Sequence, residues 1–340
     1  VAQLTRGIGK LVQIGVIKET TRGSTPAVTN AIWMAADDWT VDEKWKNAVD
    51  IQTYGVIEDN ANQTRVKNWA EGTIKCPIGV STAAVMFFSL LGTDTPTTHA
   101  GESVVYDHAI TVAQTIQHQS LSIYIHDPIP TVNPGPTSDY SHANAVIHKI
   151  DIDYALGKFV ELNVSLKAQK GSTAAVVFAP SQQMEARFVP QYLTFKMGTT
   201  AAVIATGSII KLKSAKISFN TNEEDDDVLG STTPRDFLNK ELSCEGTIEA
   251  IFQNENDFKT LALNNTAMAM QFDLVNSDIT YGVAANPEFK LLLYKVFFTE
   301  FGLPRKIKDV VYQTVKFKAS YSLTDAAMVK ATFTNCISAY

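Results

Sequence analysis

Five of the six histidines, His99, His108, His118, His126 and His142, lie near one another in the chain, and grouped imidazoles are the usual beginning of a metal site. No two of them stand four apart on a helical stretch, and His118 and His126 fall at the ends of predicted strands without carboxylates at matching spacing. That pattern favours histidines satisfied by neighbours or solvent over a metal cluster. The run Glu223-Glu224-Asp225-Asp226-Asp227 carries the oxygens that hard cations want. Calcium loops, however, alternate ligands with spacers and place a glycine at the sharp turn, whereas five consecutive acids diverge and repel. A solvated or partner-facing loop is the better reading. A hydrolase using scattered carboxylates such as Asp151 and Asp153 has little beyond composition behind it, because paired acids on a strand are usually part of a solvated face. Cys76, Cys244 and Cys336 are widely spaced and odd in number, which fits buried free thiols better than a disulfide framework or a zinc knuckle. The chain has no P-loop, no Gly-x-Ser-x-Gly elbow, no His-Glu-x-x-His helix and no Cys-x-x-Cys pair. No catalytic residue, metal ligand or cofactor site is assigned.

Composition narrows the classes further. With 340 residues, 45% of them hydrophobic, the chain can bury a substantial core and has room for two domains. Strand formers alternate with polar residues, and Gly, Pro, Asn and Thr punctuate at short intervals, so a mainly β fold with short helices is expected. A formal charge of −6 argues against a protein that grips phosphates through clustered Lys and Arg. No apolar run is long enough to span a membrane, and Val1-Ala2-Gln3-Leu4-Thr5-Arg6 lacks the apolar core of a secretory signal, so a soluble product of a reducing cytoplasm is expected.

The elements are organised around an echo. Glu71-Gly72-Thr73-Ile74 recurs as Glu245-Gly246-Thr247-Ile248, 174 positions later. Each copy follows a polar loop, Gly55 to Asn62 in one case and the acid run with Ser231-Thr232-Thr233-Pro234 in the other. Each runs on into a short amphipathic helix, Ser81 to Leu91 with Gly92 as its stop, and Asn254 to Leu263 with Asn254 as N-cap. Alternating strands come next, with Leu121, Ile123 and Ile125 on one face in the first case and Met268, Met270, Phe272 and Leu274 in the second. A second echo lies 151 positions apart, Val160-Leu162-Val164-Leu166-Ala168 against Val311-Gln313-Val315-Phe317-Ala319. Two echoes in one order, with unequal loops between them, imply an internal duplication. Residues 1 to about 39 read as an irregular arm interrupted by Gly7, Gly9 and Gly15, with Trp33, Trp39 and Trp45 as possible anchors that are more often plain core. Residues 171–208 are too apolar for a free linker and read as a bridging hairpin or an arm across a neighbouring copy.

The opening Lys-Glu-x-x-x-Gly-x-x-Pro (Lys18, Glu19, Gly23, Pro26), the two strand-loop-strand-helix-strand units and the ending Ala331-Thr332-Phe333-Thr334-Asn335 before Tyr340 resemble the tail tube proteins of long-tailed bacteriophages (siphoviruses) in their two-domain form. The resemblance covers most of the chain and is carried by architecture rather than by an invariant motif; residues 171–208 depart from the minimal pattern. It implies two tandem tail-tube-like β-sandwich or barrel domains, each with one packed α-helix: an arm at 1–39, a first domain at 40–170, a bridging insertion at 171–208 and a second domain at 209–340. It also implies a non-enzymatic virion protein, made in the host cytoplasm, whose rings stack into a hollow tube that delivers DNA. A duplicated chain needs three copies for a pseudo-sixfold ring, which is preferred to a true hexamer. Implied partners are further copies of the chain, a tape measure protein inside the tube, and terminator and tail-tip proteins at its ends. DNA would pass without specific binding, and no membrane is involved. Gly55, Glu58, Asp59, Asn60 and Glu223, Glu224, Asp225, Asp226, Asp227 are expected at inter-ring contacts, with Arg305, Lys306 and Lys308 as basic counterparts. The alternative is a two-domain β-sandwich binding module that recognises a carbohydrate or a protein through the Asn133 to Asn144 loop and the tryptophans.

Overall fold

A computed structural model describes residues 9–50, 55, 57–58, 62–128, 139–174, 177–182, 185–251, 256–303 and 312–340. The fold is mainly β, with 54% of the described residues in strands. In chain order, the first part holds β1 (Gln13–Lys18), β2 (Ile32–Met34), β3 (Asp38–Asp50), β4 (Asn62–Pro77), α1 (Val80–Leu91), β5 (Gly92–Thr98), β6 (Tyr106–Val112), β7 (Leu121–His126), β8 (Tyr140–Ala155) and β9 (Glu161–Ala168). Then follow β10 (Ser172–Thr173), β11 (Leu193–Gly198), β12 (Ile209–Ile210), β13 (Leu212–Asn220), β14 (Glu224–Asp226), β15 (Asp236–Leu238), β16 (Ser243–Ile251), α2 (Asn256–Leu263), β17 (Met268–Val275), β18 (Glu288–Gly302), β19 (Tyr312–Ala319) and β20 (Val329–Asn335).

Eight of these strands form one antiparallel sheet in the order β3-β4-β9-β8-β13-β16-β19-β18. The two sequence echoes meet inside it. Glu71 and Gly72 stand opposite Lys167 and Leu166, and Glu245 and Gly246 stand opposite Lys318 and Phe317, so strands offset by 174 and by 151 positions pair in one register. The register slips at matching places too, between Ile147 and Lys149 on β8 and between Phe298 and Glu300 on β18. A bulge of this kind bends a strand and lets it serve two sheets. The first half of β8 indeed pairs with β7, which leads to β1 and β2. The first half of β18 pairs with β17, which leads to β11 and β12, while its other border takes β20, β6 and β5.

The glycine shared by the two copies of Glu-Gly-Thr-Ile has a steric reason. A Cβ on Gly72 would lie 2.0 Å from the carbonyl oxygen of Thr40, and one on Gly246 would lie 2.4 Å from that of Lys216. In both places the neighbouring strand, β3 or β13, approaches too closely for any side chain.

From Gly9 on, the expected irregular arm holds a paired strand, β1, which ends at Lys18 before the turn-rich stretch; Gly7 lies outside the described residues. Residues 13–18 run antiparallel to β7, and β2 covers their other border. Gly15 looks like an interruption in sequence but admits the Trp33 ring, whose carbons would come within 3.0 Å of a Cβ there. Trp33 is buried with Tyr124 and Phe178, whereas Trp39 is half-buried and Trp45 is exposed beneath the Arg65 guanidinium. The opening motif works as a set of anchors. The buried Glu19 carboxylate accepts hydrogen bonds from Gly23 N, Ser120 Oγ, Ser122 Oγ and Asn144 N, the Lys18 ammonium donates to the backbone oxygen of Tyr340, and Tyr124 Oη donates to Pro26 O. The described part of 171–208 is likewise built in: β10 joins β8, and β11 takes beside β17 the place that β1 takes beside β7.

Helix α1 is not amphipathic. Eleven of its residues, Val80 and Thr82 through Leu91, are buried, because strands of both halves enclose it. The Phe87 ring lies 5.8, 5.7 and 5.6 Å from those of Phe219, Phe289 and Phe333, all from the second half of the chain. A single apolar core therefore runs through the molecule. The helix begins at Gly79 with no side-chain cap of its own, and Glu185, 104 positions away in sequence, accepts the Ser81 and Thr82 amides at 3.2 and 3.1 Å. Gly92 closes it in the left-handed conformation. In α2, Phe258 is buried edge-on against Phe298, and the expected cap, Asn254, lies outside the described residues.

Replacing Gly72 or Gly246 with Ala is expected to lower stability by about 1–3 kcal/mol in each case. Urea unfolding would read this as two similar falls in midpoint at unchanged slope; an unaltered midpoint for either would refute the close-approach account.

Candidate functional site

Alternation along the eight-stranded sheet sends Ile74, Val164, Ile152, Ile217, Ile248 and Val315 into the core and leaves the intervening residues on a common open face. Cross-strand pairing sets those residues in rows. One row runs Lys75, Asn163, Asp151, Ser218, Glu245, Lys318, and the next runs Glu161, Asp153, Lys216, Thr247, Lys316, Glu300. Together they line an open trough of about 860 Å³ that crosses both halves of the chain.

The charges on this face are mixed and largely paired. Lys75 meets Glu161 at 3.3 Å, Lys149 meets Asp151 at 2.8 Å, and Lys316 meets Glu300 at 2.7 Å. Lys158, in the β8–β9 turn, holds Glu161 at 2.9 Å and Asp153 at 3.0 Å; these two hydrogen bonds raise its pKa. Exposed pairs of this sort contribute little to stability, about 0–1 kcal/mol each. Their larger effect is on the field, since an ammonium beside a carboxylate offers a passing phosphate much less attraction than an isolated one. Asp151 and Asp153 belong to this lattice of pairs.

The sheet has two open borders. Among the described residues, β3 pairs only with β4, and the segment Phe297–Gly302 of β18 pairs only with β19. Trp39, Val41 and Phe301 sit at these borders half-buried against the core. An unpaired border carries a row of backbone donors and acceptors directed at whatever lies beside it.

A family model described as phage tail tube protein matches residues 9–334. The chain belongs to the phage tail tube protein family. No curated protein matches the sequence. For a member of this structural family, surfaces that meet other copies are the relevant chemistry.

The residues expected at inter-ring contacts fall in two places. Gly55 and Glu58 are exposed beyond the end of the long β3–β4 ribbon, which extends to the pair Asp50 and Asn62. Asp59 and Asn60 lie outside the described residues, as do Arg305, Lys306 and Lys308. The acid run, read from sequence as a solvated or partner-facing loop, forms β14, a short hairpin arm against β15 that folds back onto the base of the ribbon. Lys67 meets Asp225 at 2.7 Å and Asp227 at 2.6 Å, while Lys167 meets Glu223 at 3.0 Å and Asp225 at 3.1 Å. Arg235 pairs with Asp226, and Lys240 with Glu224. Two further bonds complete the brace: Asn68 N to Thr232 O at 2.7 Å, and Thr233 Oγ1 to Asn68 Oδ1 at 2.6 Å. Mutual repulsion within the run is thus offset by lysines from the other half of the chain. Glu224 and Asp227 remain more than half exposed. Neither lysine could be assigned from sequence, although Lys167 stands on the polar alternation of β9.

Four of the clustered histidines face a carboxylate or a carbonyl close by. His99 Nδ1 lies 2.9 Å from Asp107, His108 Nδ1 3.0 Å from Asp94, His126 Nδ1 3.0 Å from Asp139, and His118 Nδ1 2.6 Å from Leu90 O. His142 Nδ1 makes a longer contact, 3.3 Å, with Gln169 O. No group of three potential metal ligands occurs among the described residues, nor does any helix there long and apolar enough to cross a membrane. Cys76 and Cys244 are buried, which pushes the Cys76 thiol up to about 12; Cys336 is exposed, unlike the buried thiol expected of it.

Burial opposes ionisation of Asp225, but the hydrogen bonds from Lys67 and Lys167 outweigh it and hold its carboxyl below the ordinary 3.8. Burial likewise opposes the charge on Lys67 and Lys167, and their acidic partners raise both above 10.5. The depressed acid supports the brace above pH 3.8 and loses that support as pH falls through its folded value. The raised lysines support it below pH 10.5 and lose that support as pH rises through theirs. Asp225→Asn should weaken the brace at neutral pH by about 1 kcal/mol. Hydrogen exchange at the Asn68 amide would then run roughly fivefold faster; unchanged protection would remove Asp225 from the brace.

Proposed function

We propose that the chain is a self-assembling subunit of a virion tail tube, that copies join at the β3 and β18 borders into a ring, and that the polar trough faces the lumen through which DNA passes. The observation that carries this reading is the eight-stranded sheet with an open border at each end and a polar, charge-paired face between them. A sheet with two open borders is completed by closure onto copies of itself. Lysines paired with carboxylates on the inner wall, as Lys75 and Lys316 are, would let phosphates move past without being held, which leaves Lys216 and Lys318 as the cations of the two rows without a carboxylate partner among the described residues.

The ring we propose contains three copies, because each chain comprises two units with the same pairing scheme, β3-β4-β9-β8 and β13-β16-β19-β18. In this reading the segments 1–39 and 171–208 are counterparts that bring β1 with β2, and β11 with β12, to the domains at 40–170 and 209–340. The β3–β4 ribbon tip around Gly55 and Glu58, with the exposed acids Glu224 and Asp227, would meet the next ring. A tape measure protein inside the tube and terminator and tip proteins at its ends would be the remaining partners.

Negative-stain microscopy of purified protein should show rings or hollow rods, and sedimentation of single rings should give three times the 37.2 kDa chain mass. Six times that mass would replace the trimer with a hexamer. A monodisperse monomer at high concentration would contradict the assembly itself.

A further inference from the structure

The chain already contains one seam of the kind a ring would need between copies. The second half of β8 pairs antiparallel with β13, with Lys149 opposite Asn220, Ile150 opposite Phe219 and Asp151 opposite Ser218. This seam joins the last strand of one four-stranded set to the first strand of the next. The open borders are the same two strands of the repeated scheme, β18 at one end of the sheet and β3 at the other.

Positions can be carried across by the pairing itself. Ile150 and Phe301 both stand one residue past the bulge, opposite Val164 and Val315 respectively. Ile217 and Val41 both stand opposite the shared glycine, Gly246 and Gly72. Counting from these fixed points, Lys149, Ile150 and Asp151 correspond to Glu300, Phe301 and Gly302. Asn220, Phe219 and Ser218 correspond to Lys44, Glu43 and Asp42.

We propose that β18 of one copy pairs antiparallel with β3 of a second copy in the register of the internal seam, with Glu300 opposite Lys44, Phe301 opposite Glu43 and Gly302 opposite Asp42. The proposal rests on the ring reading above and adds the strands and the register.

Burial supports the match. At the internal seam Ala215, Ile217 and Ile150 are at most 1% exposed, while their counterparts Trp39, Val41 and Phe301 are only half-buried in the single chain. A second copy laid on the border would cover them as the internal seam covers the others. Charge supports it as well. Glu300 and Lys44 are exposed, 65% and 41% at the side chain, and opposite charges directly across a strand pair favour the register that joins them. The departure in burial is Glu43, exposed where the internal seam has the buried Phe219.

The test uses chains with one exposed cysteine each, in a Cys336→Ser background that removes the exposed native thiol and leaves only the buried Cys76 and Cys244. Glu300→Cys and Lys44→Cys proteins, purified separately, mixed and oxidised, should give a covalent dimer, because directly opposed residues lie within disulfide reach. Glu300→Cys mixed with Asp42→Cys, two residues out of register on the same face, should crosslink at least tenfold more slowly. A chain carrying both Glu300→Cys and Lys44→Cys should yield a ladder that stops at a closed ring. Faster crosslinking with Asp42→Cys would overturn the register and leave the ring reading standing. Absence of crosslinks in every mixture, in material that microscopy shows to be rods, would overturn the β18–β3 contact. Failure of the unsubstituted protein to form rings or rods would remove the ring reading and this proposal with it.

Discussion

Backbone amides and carbonyls at the border of a sheet have hydrogen-bonding capacity, and an eight-stranded sheet with two borders that the described residues leave unpaired is governed by that deficit. Most β proteins blunt their borders or close a sheet on themselves. Here one end strand, β3, is 13 residues long, the open part of the other is Phe297–Gly302 of β18, and both bring apolar side chains to the rim of the core. Lys44 and Lys46 along β3 are the main guard against indiscriminate pairing, since charged side chains on a border disfavour unspecific partners. The proposed tube turns this deficit into its assembly rule: what each copy lacks on one side, the next copy supplies.

Such a rule requires a stiff unit, and the interior provides one. The two halves share a core, with α1 enclosed between strands of both and Phe87 packed against three rings from the second half. Packing of this kind does not deform continuously, so the halves cannot slide over one another without opening the core. Polar ties act in the same direction. Arg22 reaches from the start of the chain to Asp236 at 2.6 Å and to the carbonyl of Phe237, and Glu185 caps α1 from the segment between the halves. The acid hairpin of the second half braces the ribbon of the first. The angle between the two four-stranded sets is therefore fixed within a single chain, which is what a ring with a defined number of copies needs.

How much of this was legible in the sequence depended on whether the determinant was local. The period of two in β9, β17 and β19 and the stop at Gly92 could be read because alternation and helix ends are written in neighbouring residues. The shared Glu-Gly-Thr-Ile could be seen, though its steric cause, the approach of Thr40 and Lys216, belongs to the fold. Gly15 was misleading because a glycine that admits Trp33 looks the same as one that breaks a strand. The character of α1 is hidden in sequence for a related reason: a helix covered on all sides keeps a few polar residues, such as Thr82 and Ser89, that bond to its surroundings. The acid run was the largest change. Its partners Lys67 and Lys167 are 158 and 58 positions from Asp225, and no local pattern announces a contact at that range.

A three-dimensional reconstruction of an assembled tube tests the central claim most directly. The account predicts a continuous antiparallel inner wall to which each of three copies gives eight strands, with Lys75, Asp151 and Glu245 facing the channel. A wall in which β3 and β18 remain unpaired, or in which that polar face points away from the channel, would contradict it.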